Sequence, residues 1–214
     1  MNLQTSLENY LNDLSSSSPT PGGGNVSALC GVLAASLGQM VCSLTIGKKK
    51  YLQVENEIKT VSGNLKVLSN EFLNLAERDN KAFEKVMQSF KLPKDTDEQK
   101  SERSAAVEAA TMEAAIVPAE VIIKCLQLIP FLEIVAEKGN RNSLSDAGVA
   151  ISLTAAAAEG AFLNVAINCS GLPNKATADE FMKKSEITYL EVKEKSKSLI
   201  ESLIESLIKG LKNP

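Results

Sequence analysis

The segment 26–46 carries no charged residue, and this constrains the fold of the chain more than any other feature. It follows a proline- and glycine-rich turn at 19–25 (PTPGGGN) and ends at Gly47, before three consecutive lysines. Its length alone is compatible with a membrane span. Its Ala, Ser and Gly content, together with Gln39, instead favours a helix that other helices surround on all sides. We therefore predict a buried helix and no membrane association.

Gly22, Gly23 and Gly24 precede this helix and are the first candidate binding residues. Consecutive glycines allow positive φ angles and a close approach of the backbone to another group. At a helix start they also leave N–H groups and the positive end of the helix dipole available to an anion. The alternative is a simple helix-entry turn with Asn25 as the N-cap. A nucleotide-binding P-loop is excluded, because its Gly-Lys-Ser/Thr spacing is missing and no strand precedes the turn.

Lys48, Lys49 and Lys50 form a second place where a negative group would be favourable. Gly47 is expected to end the preceding helix. The lysines either bind an anionic ligand or only complement the helix C-terminus from solvent. The formal net charge of −3 excludes a generally basic nucleic-acid-binding protein, and we expect no nucleic-acid partner.

Asp79 interrupts the apolar stripe of the next helix, predicted over 51–90. The stripe advances in steps of three and four residues, and Asp79 stands where Leu or Val would be expected. A carboxylate on a buried face is costly unless it is paired. The chain also has no histidine, so acid–base chemistry would need another group with a shifted pKa. Asp79 is therefore the main catalytic candidate, and burial against a helix end or a lysine is the structural alternative.

The remaining hydrophobic spacing is helical, with no strand or hairpin signal. We predict an all-α, single-domain helical bundle over 1–214, with two buried helices rich in small residues, 26–46 and 144–168. Such helices allow close approach, so one of them is expected at a subunit interface. Further helices are predicted from 3 to 14 and from 175 to about 211.

The region before the second small-residue helix contains several helix signals. Asp95 and Glu98 fit a capping box for the next helix. That helix is expected to bend or break at Pro118. A further piece should end at Gly139 in the left-handed conformation.

The cysteines sit among apolar or small residues and form no Cys-x-x-Cys pair. Without histidine a zinc site is disfavoured, and we expect no metal. We interpret them as buried thiols in a reducing compartment. The start of the chain lacks the basic and apolar regions of a signal peptide, which favours a cytoplasmic location. The cysteines are Cys30, Cys42, Cys125 and Cys169.

Three further polar residues favour structural roles on residue type alone. Asp146 lies three residues after Ser143, where an acid caps a helix N-terminus. Asn164 and Asn168 are one helical turn apart on an apolar face, which is more typical of hydrogen bonds between helices than of ligand contacts.

Taken together and in this order, these segments resemble the cyclodeaminase/cyclohydrolase family of folate one-carbon metabolism. The family comprises the cyclodeaminase half of formiminotransferase-cyclodeaminase and its free-standing bacterial relatives. The resemblance covers about 3–208. It is carried by 19–24 (PTPGGG), 44–51 (LTIGKKKY), Asp79-x-x-Ala82-Phe83, Val117-Pro118, 139–147 (GNxNSxSDA) and 164–168 (NVxIN).

The resemblance implies an all-helical homodimer that acts on the one-carbon unit of tetrahydrofolate, with no cofactor beyond that substrate. In the cyclodeaminase reaction, N10 of 5-formiminotetrahydrofolate attacks the formimino carbon, ammonia leaves and 5,10-methenyltetrahydrofolate forms. The alternative is the cyclohydrolase reaction, in which water attacks the methenyl carbon and 10-formyltetrahydrofolate forms. A third interpretation is a non-catalytic folate-binding or assembly module.

The resemblance also assigns roles to individual residues. The family's catalytic acid falls on Asp79, and Asp146 gains weight as a second catalytic candidate. The glycine loop and 140–146, with Asn140 and Asn142, are expected to line the cleft.

The remaining substrate-binding candidates are Asn164, Lys48 and Lys49. The two lysines suit the anionic glutamate tail of a mono- or polyglutamylated folate. The chain has no formiminotransferase half, which leaves open a separate formiminotransferase partner.

Overall fold

The protein, seen in a computed structural model that describes residues 6–212, is built from α-helices joined by short turns. The described residues form six α-helices and no strand, which confirms the all-α prediction. Short 3-10 helices at Lys49–Tyr51 and Arg141–Ser143 precede the third and fifth of them. The predicted helix residues 3–5 lie outside the described part. The helices are α1 (Leu7–Leu14), α2 (Gly23–Thr45), α3 (Glu55–Phe90), α4 (Asp97–Lys138), α5 (Leu144–Ser170) and α6 (Lys175–Lys212).

Four of the helices, α2 to α5, pack around a common core, and α6 covers the side formed by α4 and α5. The predicted stripe of α3 is confirmed from Val61 to Leu75, where its apolar residues are buried. Towards the end of the helix it is not, since Val86 is half-buried and Phe90 is 50% exposed. Of the four cysteines, three are buried and Cys30 is half-buried, and all are free thiols. The largest fully buried side chains include Phe72, Ile58, Leu65, Ile122, Leu128, Ile129, Leu132 and Ile151.

Helices α2 and α5 run antiparallel, which places opposite ends of the two sequences side by side. At one end, the backbone N–H of Asn140 donates to Thr45 Oγ1 at 2.8 Å, and its side-chain amide donates to the Leu44 carbonyl at 3.0 Å. At the other end, Gly160 packs against the Ser27 side chain, where any larger residue would collide. The start of α2 therefore lies beside the end of α5.

Helix α2 is only partly enclosed, so the expectation that other helices surround it is wrong for the single chain. Its neighbours α3, α4 and α5 lie on one side. On the other side Leu33, Met40 and Leu44 are 39–49% exposed. The apolar residues of α2 were predicted to be buried, but some of them lie on the outer surface of the chain.

Three helices, α2, α4 and α5, are long and apolar enough to cross a membrane by length and composition alone. In each of them, 39–56% of the most apolar window is buried inside the protein. The prediction of no membrane association therefore stays a prediction.

Helix α4 is continuous from Asp97 to Lys138, so it does not break at Pro118, and the alternative, a bend there, stays a prediction. Pro118 lacks the N–H that would continue the ladder, but it is buried in the bundle, where packing holds the chain helical. The N-cap is Thr96, whose hydroxyl accepts from the Gln99 N–H at 3.2 Å. The capping box thus lies one residue after the predicted one.

Gly139 has a φ of −74°, so the predicted left-handed conformation is wrong. A side chain at this position would collide with the Val135 carbonyl and with Val41. The glycine is needed for this close approach. Gly47, by contrast, has a φ of +76° and follows the end of α2 as predicted.

Replacing Gly31 by Ala should destabilise the protein by about 1–3 kcal/mol, the usual cost of overpacking a core. A Cβ at Gly31 would lie 2.5 Å from the ring of Phe72, which is fully buried. Gly63 is the matched control, since nothing lies within 4 Å of a Cβ there. Gly63→Ala should stabilise the exposed helix position by about 0.5–1 kcal/mol. Urea denaturation of both variants checks this pair, and equal stabilities would contradict the assigned contact.

Candidate active site

Asp79 lies on α3 against the first turn of α2. Gly24 faces the carboxylate so closely that a side chain there would overlap with it. Burial raises the pKa of Asp79 from 3.8 to about 6, and a hydrogen bond from the backbone N–H of Asn25 opposes this rise. The anion at the start of α2 is thus the protein's own carboxylate.

Asn25 fixes this arrangement from inside the helix. The N-cap of α2 is Gly22, so the alternative that made Asn25 the N-cap is wrong. Asn25 is fully buried, and its amide donates to the carbonyl of Ala76 at 2.7 Å. The hydroxyl of Tyr10 donates to Asn25 Oδ1 at 2.9 Å. The two bonds join α1, α2 and α3 beside the catalytic candidate.

The surroundings of the site also change the pKa of Tyr10. Burial raises the pKa of its phenol, and nearby Cys30 and Asp79 raise it further. Nothing in the sequence pointed to Tyr10 or to the network around Asn25, because neither hydrogen bond follows a helical period.

A cavity of about 310 Å³ opens beside Asp79, within the size range of small-molecule sites. Four helices, α2 to α5, contribute to it, together with the turn that precedes α2. Asp79 is the only ionisable side chain among its described lining residues. The lining residues are Pro19, Thr20, Gly22, Gly23, Gly24, Asp79, Phe83, Ala114, Asn164, Ile167 and Asn168.

Asn164 and Asn168 line the cavity and are also held by backbone carbonyls. The amide of Asn168 donates to Ala114 on α4 at 2.8 Å, which is the hydrogen bond between helices that the residue pattern favoured. The amide of Asn164 donates to Gly160 within α5 at 2.8 Å and packs against Gly23. Asn164 therefore lines the cavity, and its role in substrate binding stays a prediction.

Phe83 follows Asp79 by one helical turn and contributes the aromatic surface of the cavity. It was part of the motif around Asp79, but nothing in the sequence assigned it to a binding surface. It lies beside the buried stripe, and its side chain is 37% exposed, so part of the ring is accessible from the cavity. Its position four residues after Asp79 could have indicated that the two side chains lie on the same side of α3.

The other predicted site residues lie at the far end of α2. Lys48 and Lys49 follow the C-terminus of α2, and Asn140 is hydrogen-bonded to Thr45 and Leu44 there. A helix of this length separates its ends by about 35 Å. The prediction that 140–146 and the glycine loop line one cleft is therefore wrong within a single chain.

The segment 140–146 has a local structural role. Asn140 Oδ1 accepts from the N–H of Asn142 at 3.1 Å and so shapes the turn before α5. Asp146 lies in the first turn of α5, as the capping interpretation expected, but the N-cap itself shows no side-chain hydrogen bond. Neither Asn142 nor Asp146 lines the cavity beside Asp79.

The cavity can support proton transfer next to a bound planar group. A carboxyl whose pKa is near 6 exchanges protons readily around neutral pH, which suits a general acid–base group. Phe83 and Ile167 offer apolar surface, and Asn164 and Asn168 offer polar groups. This combination is typical of a site that binds and orients a heterocycle.

Comparison with known proteins shows to which family the chain belongs. The sequence profile of the family described as formiminotransferase-cyclodeaminase matches residues 6–187. A methenyltetrahydrofolate cyclohydrolase from Methylorubrum extorquens is 44% identical over 180 residues, which cover 84% of this chain and 86% of that protein.

Other relatives are named for cyclodeaminase activity. A formimidoyltransferase-cyclodeaminase from Mus musculus is 31% identical over 86% of this chain, which spans about a third (33%) of that protein. The crystal structure of a formiminotetrahydrofolate cyclodeaminase from Thermotoga maritima superposes with a TM-score of 0.79 at 29% identity. That match covers 94% of this chain and 98% of the other.

Proposed function

This chain belongs to the formiminotransferase-cyclodeaminase family and is an enzyme of folate one-carbon chemistry, and from that premise we propose that it is a methenyltetrahydrofolate cyclohydrolase. It would add water to 5,10-methenyltetrahydrofolate and release 10-formyltetrahydrofolate. The observation that carries the choice is the 44% identity, over most of both chains, to a protein of that name.

The cyclodeaminase reaction is the second candidate. The family resemblance placed it first, and the superposition on a formiminotetrahydrofolate cyclodeaminase supports it. The identity to proteins of that name is lower, at 29–31% for the mouse protein and the Thermotoga structure. The methenyl cation is the product of the cyclodeaminase reaction and the substrate of the cyclohydrolase reaction. One carboxyl in one cavity would therefore serve either.

In the proposed reaction the Asp79 carboxylate takes a proton from water as the water oxygen bonds to the methenyl carbon. The carboxyl then gives that proton to N5 as the bond between the carbon and N5 breaks. The hydroxyl proton of the intermediate is lost to solvent, and the formyl group stays on N10. A pKa of about 6 suits both steps, because the group must accept a proton and release it in turn.

The rest of the cavity would position the substrate. Phe83 offers a face on which a flat pterin ring can stack. Asn164 and Asn168 offer amide groups to its polar edge. The glycine loop would let the substrate approach the backbone next to Asp79.

The test offers the purified protein each substrate separately. Enzyme-dependent loss of the methenyl absorbance, with 10-formyltetrahydrofolate as product, would support the cyclohydrolase. Faster turnover of 5-formiminotetrahydrofolate, with a rise in methenyl absorbance and release of ammonia, would replace it by the cyclodeaminase. Folate binding without turnover of either substrate would favour the third interpretation, a non-catalytic binding module.

The activity should fall as the pH drops through about 6. The folded protein holds the Asp79 proton more tightly than an exposed carboxyl, and only the ionised form can accept a proton from water. Initial rates of kcat/KM between pH 5 and 8, corrected for the uncatalysed reaction, measure this. The variant Asp97→Asn is the control and should keep the same profile, since Asp97 is exposed at the start of α4 and lies outside the cavity. A rate that stays level down to pH 5 would contradict the role of Asp79 as base.

A further inference from the structure

Helix α1 buries a tyrosine and leaves its leucines at the surface. Within Leu7–Leu14, Tyr10 is the only buried residue, at 5% exposed. Leu7 and Leu11 of the same helix are 66% and 50% exposed. The contact of α1 with the rest of the chain therefore depends mainly on the Tyr10 side chain, and its hydroxyl ends beside the catalytic candidate.

The direction of the hydrogen bonds around Asn25 follows from the chemistry of the groups. The Ala76 carbonyl can only accept, so the Asn25 atom that lies 2.7 Å from it is the amide nitrogen. The other end of the amide, Oδ1, can only accept. The Tyr10 hydroxyl, at 2.9 Å, therefore donates to it. Asn25 is fully buried, so its Oδ1 has no access to bulk water as a substitute donor.

Asn25 contacts α3 at two points that are one helical turn apart. Its side chain donates to the carbonyl of Ala76, and its backbone N–H donates to the carboxylate of Asp79. Because one residue makes both bonds, a displacement of its side chain would also move its N–H relative to the carboxylate. Tyr10 restrains that side chain from a third helix.

No charged group shares the task of holding the Asp79 carboxylate within the described part of the chain. Asp79 is the only ionisable residue of the described cavity lining, so the lining residues from α4 and α5 are uncharged. Arg78 is paired with Glu120. Burial raises the pKa of the Tyr10 phenol and of the Cys30 thiol, so both are neutral near pH 7. The Asn25 N–H is the one described group that lowers the pKa of Asp79.

We propose that Tyr10 is a positioning residue of the active site, whose hydroxyl acts through the Asn25 side chain to hold the Asn25 N–H against the Asp79 carboxylate. Tyr10 does not line the cavity, so it acts on Asp79 and not on the substrate. The role of Asp79 as the base rests on the proposed function, whereas the contacts among the three residues do not.

The variant Tyr10→Phe tests this role, because it removes one oxygen atom and leaves Asn25 Oδ1 buried without a donor. We expect kcat to fall by about 10-fold at pH 8, since the base is held less firmly, with KM nearly unchanged. The acid limb of the kcat/KM profile should move upwards by about 0.5–1 pH unit. A weaker bond from the Asn25 N–H raises the pKa of Asp79 by that amount.

Tyr189→Phe is the matched control on α6. Tyr189 is 8% exposed, its hydroxyl donates to Glu159 at 3.3 Å, and α6 contributes no residue to the described cavity lining. Both variants lose the same atom from a buried ring, so thermal unfolding should show a loss of stability in both. Only Tyr10→Phe should move the pH profile. If both variants shifted the profile equally, or neither did, Tyr10 would be a structural contact and the proposal would be overturned.

A second readout needs no turnover. The ¹³C carboxyl resonance of Asp79, identified by its loss in Asp79→Asn, can be titrated by NMR between pH 4 and 8. Its midpoint should rise by about 0.5–1 pH unit in Tyr10→Phe and stay at the wild-type value in Tyr189→Phe. An unchanged midpoint in Tyr10→Phe would overturn the proposal. If the wild-type protein turns over neither folate, the proposed function fails, and this titration still decides the role of Tyr10.

Ser6→Ala replaces Tyr10→Phe if that variant does not fold. Ser6 is exposed, and its hydroxyl caps α1 by accepting from the Asn9 N–H at 3.2 Å. Loss of the cap frays α1, so Tyr10 would donate to Asn25 for less of the time. The NMR midpoint of Asp79 should then rise in the same direction by a smaller amount. A midpoint equal to the wild-type value would count against the proposal.

Discussion

Asp79→Asn should lower kcat by about 10²–10⁴-fold, the usual scale for losing a general acid–base group. The amide keeps the shape of the side chain and can still accept the hydrogen bond from the Asn25 N–H. It cannot take a proton from water or return one to N5. Initial rates at saturating folate measure the effect, with Asp97→Asn, an exposed aspartate outside the cavity, as the control at near wild-type rates. A variant that turns over normally would make Asp79 a structural residue.

The same substitution should leave the free energy of unfolding unchanged or raise it. Burial raises the pKa of Asp79 to about 6 in the folded protein, whereas the ordinary value is 3.8. The ionised carboxylate therefore destabilises the fold above pH 6, and the penalty disappears as the pH falls towards 4. The gain from Asp79→Asn should thus be largest near pH 8 and vanish near pH 4. Denaturant titrations at both pH values check the sign, and a large loss of stability at pH 8 would contradict it.

Gly24→Ala should lower kcat/KM by at least about 100-fold, because a small displacement of a reacting group has that effect. The added methyl group would overlap with the Asp79 carboxylate, so the carboxylate or the start of α2 must move. Stability should fall by about 1–3 kcal/mol, as for other overpacked sites. Rates and denaturant titrations measure the two losses separately.

Gly22→Ala is the matched control in the same turn. A Cβ there would find only the Pro19 carbonyl oxygen, at 3.7 Å, and the φ of −128° suits any residue. We expect stability near the wild-type value and a much smaller loss of kcat/KM than for Gly24→Ala, because the added methyl group would not touch Asp79. If Gly22→Ala were as damaging as Gly24→Ala, the loop as a whole, rather than contact with Asp79, would explain the loss.

The helices and Asp79 could be predicted because both depend on burial periodicity. A stripe of apolar residues marks the buried side of α3, and a carboxylate on that stripe stands out without knowledge of its neighbours. The continuity of α4 could not be predicted in this way. Whether Pro118 breaks a helix depends on what packs against it, and the sequence of α4 alone does not contain that information.

The composition of the cavity was predicted in part. The glycine loop, Asp79 and Asn164 meet there as expected. Tyr10 and Asn25 were missed, because their hydrogen bonds join residues on different helices. The family pattern also grouped 140–146 with the glycine loop, although α2 separates them in one chain. A motif pattern shows which residues occur together in the sequences and not how far apart the fold places them.

Three glycines form one wall of the cavity, so the protein presents peptide groups there instead of side chains. A ligand on that wall meets the same chemistry whatever substitutions accumulate elsewhere. Selectivity among ligands must therefore reside in the side chains of the lining, above all in Phe83 of α3 and in Asn164, Ile167 and Asn168 of α5. Inhibitors that discriminate between relatives of this protein should be built outwards towards those four side chains.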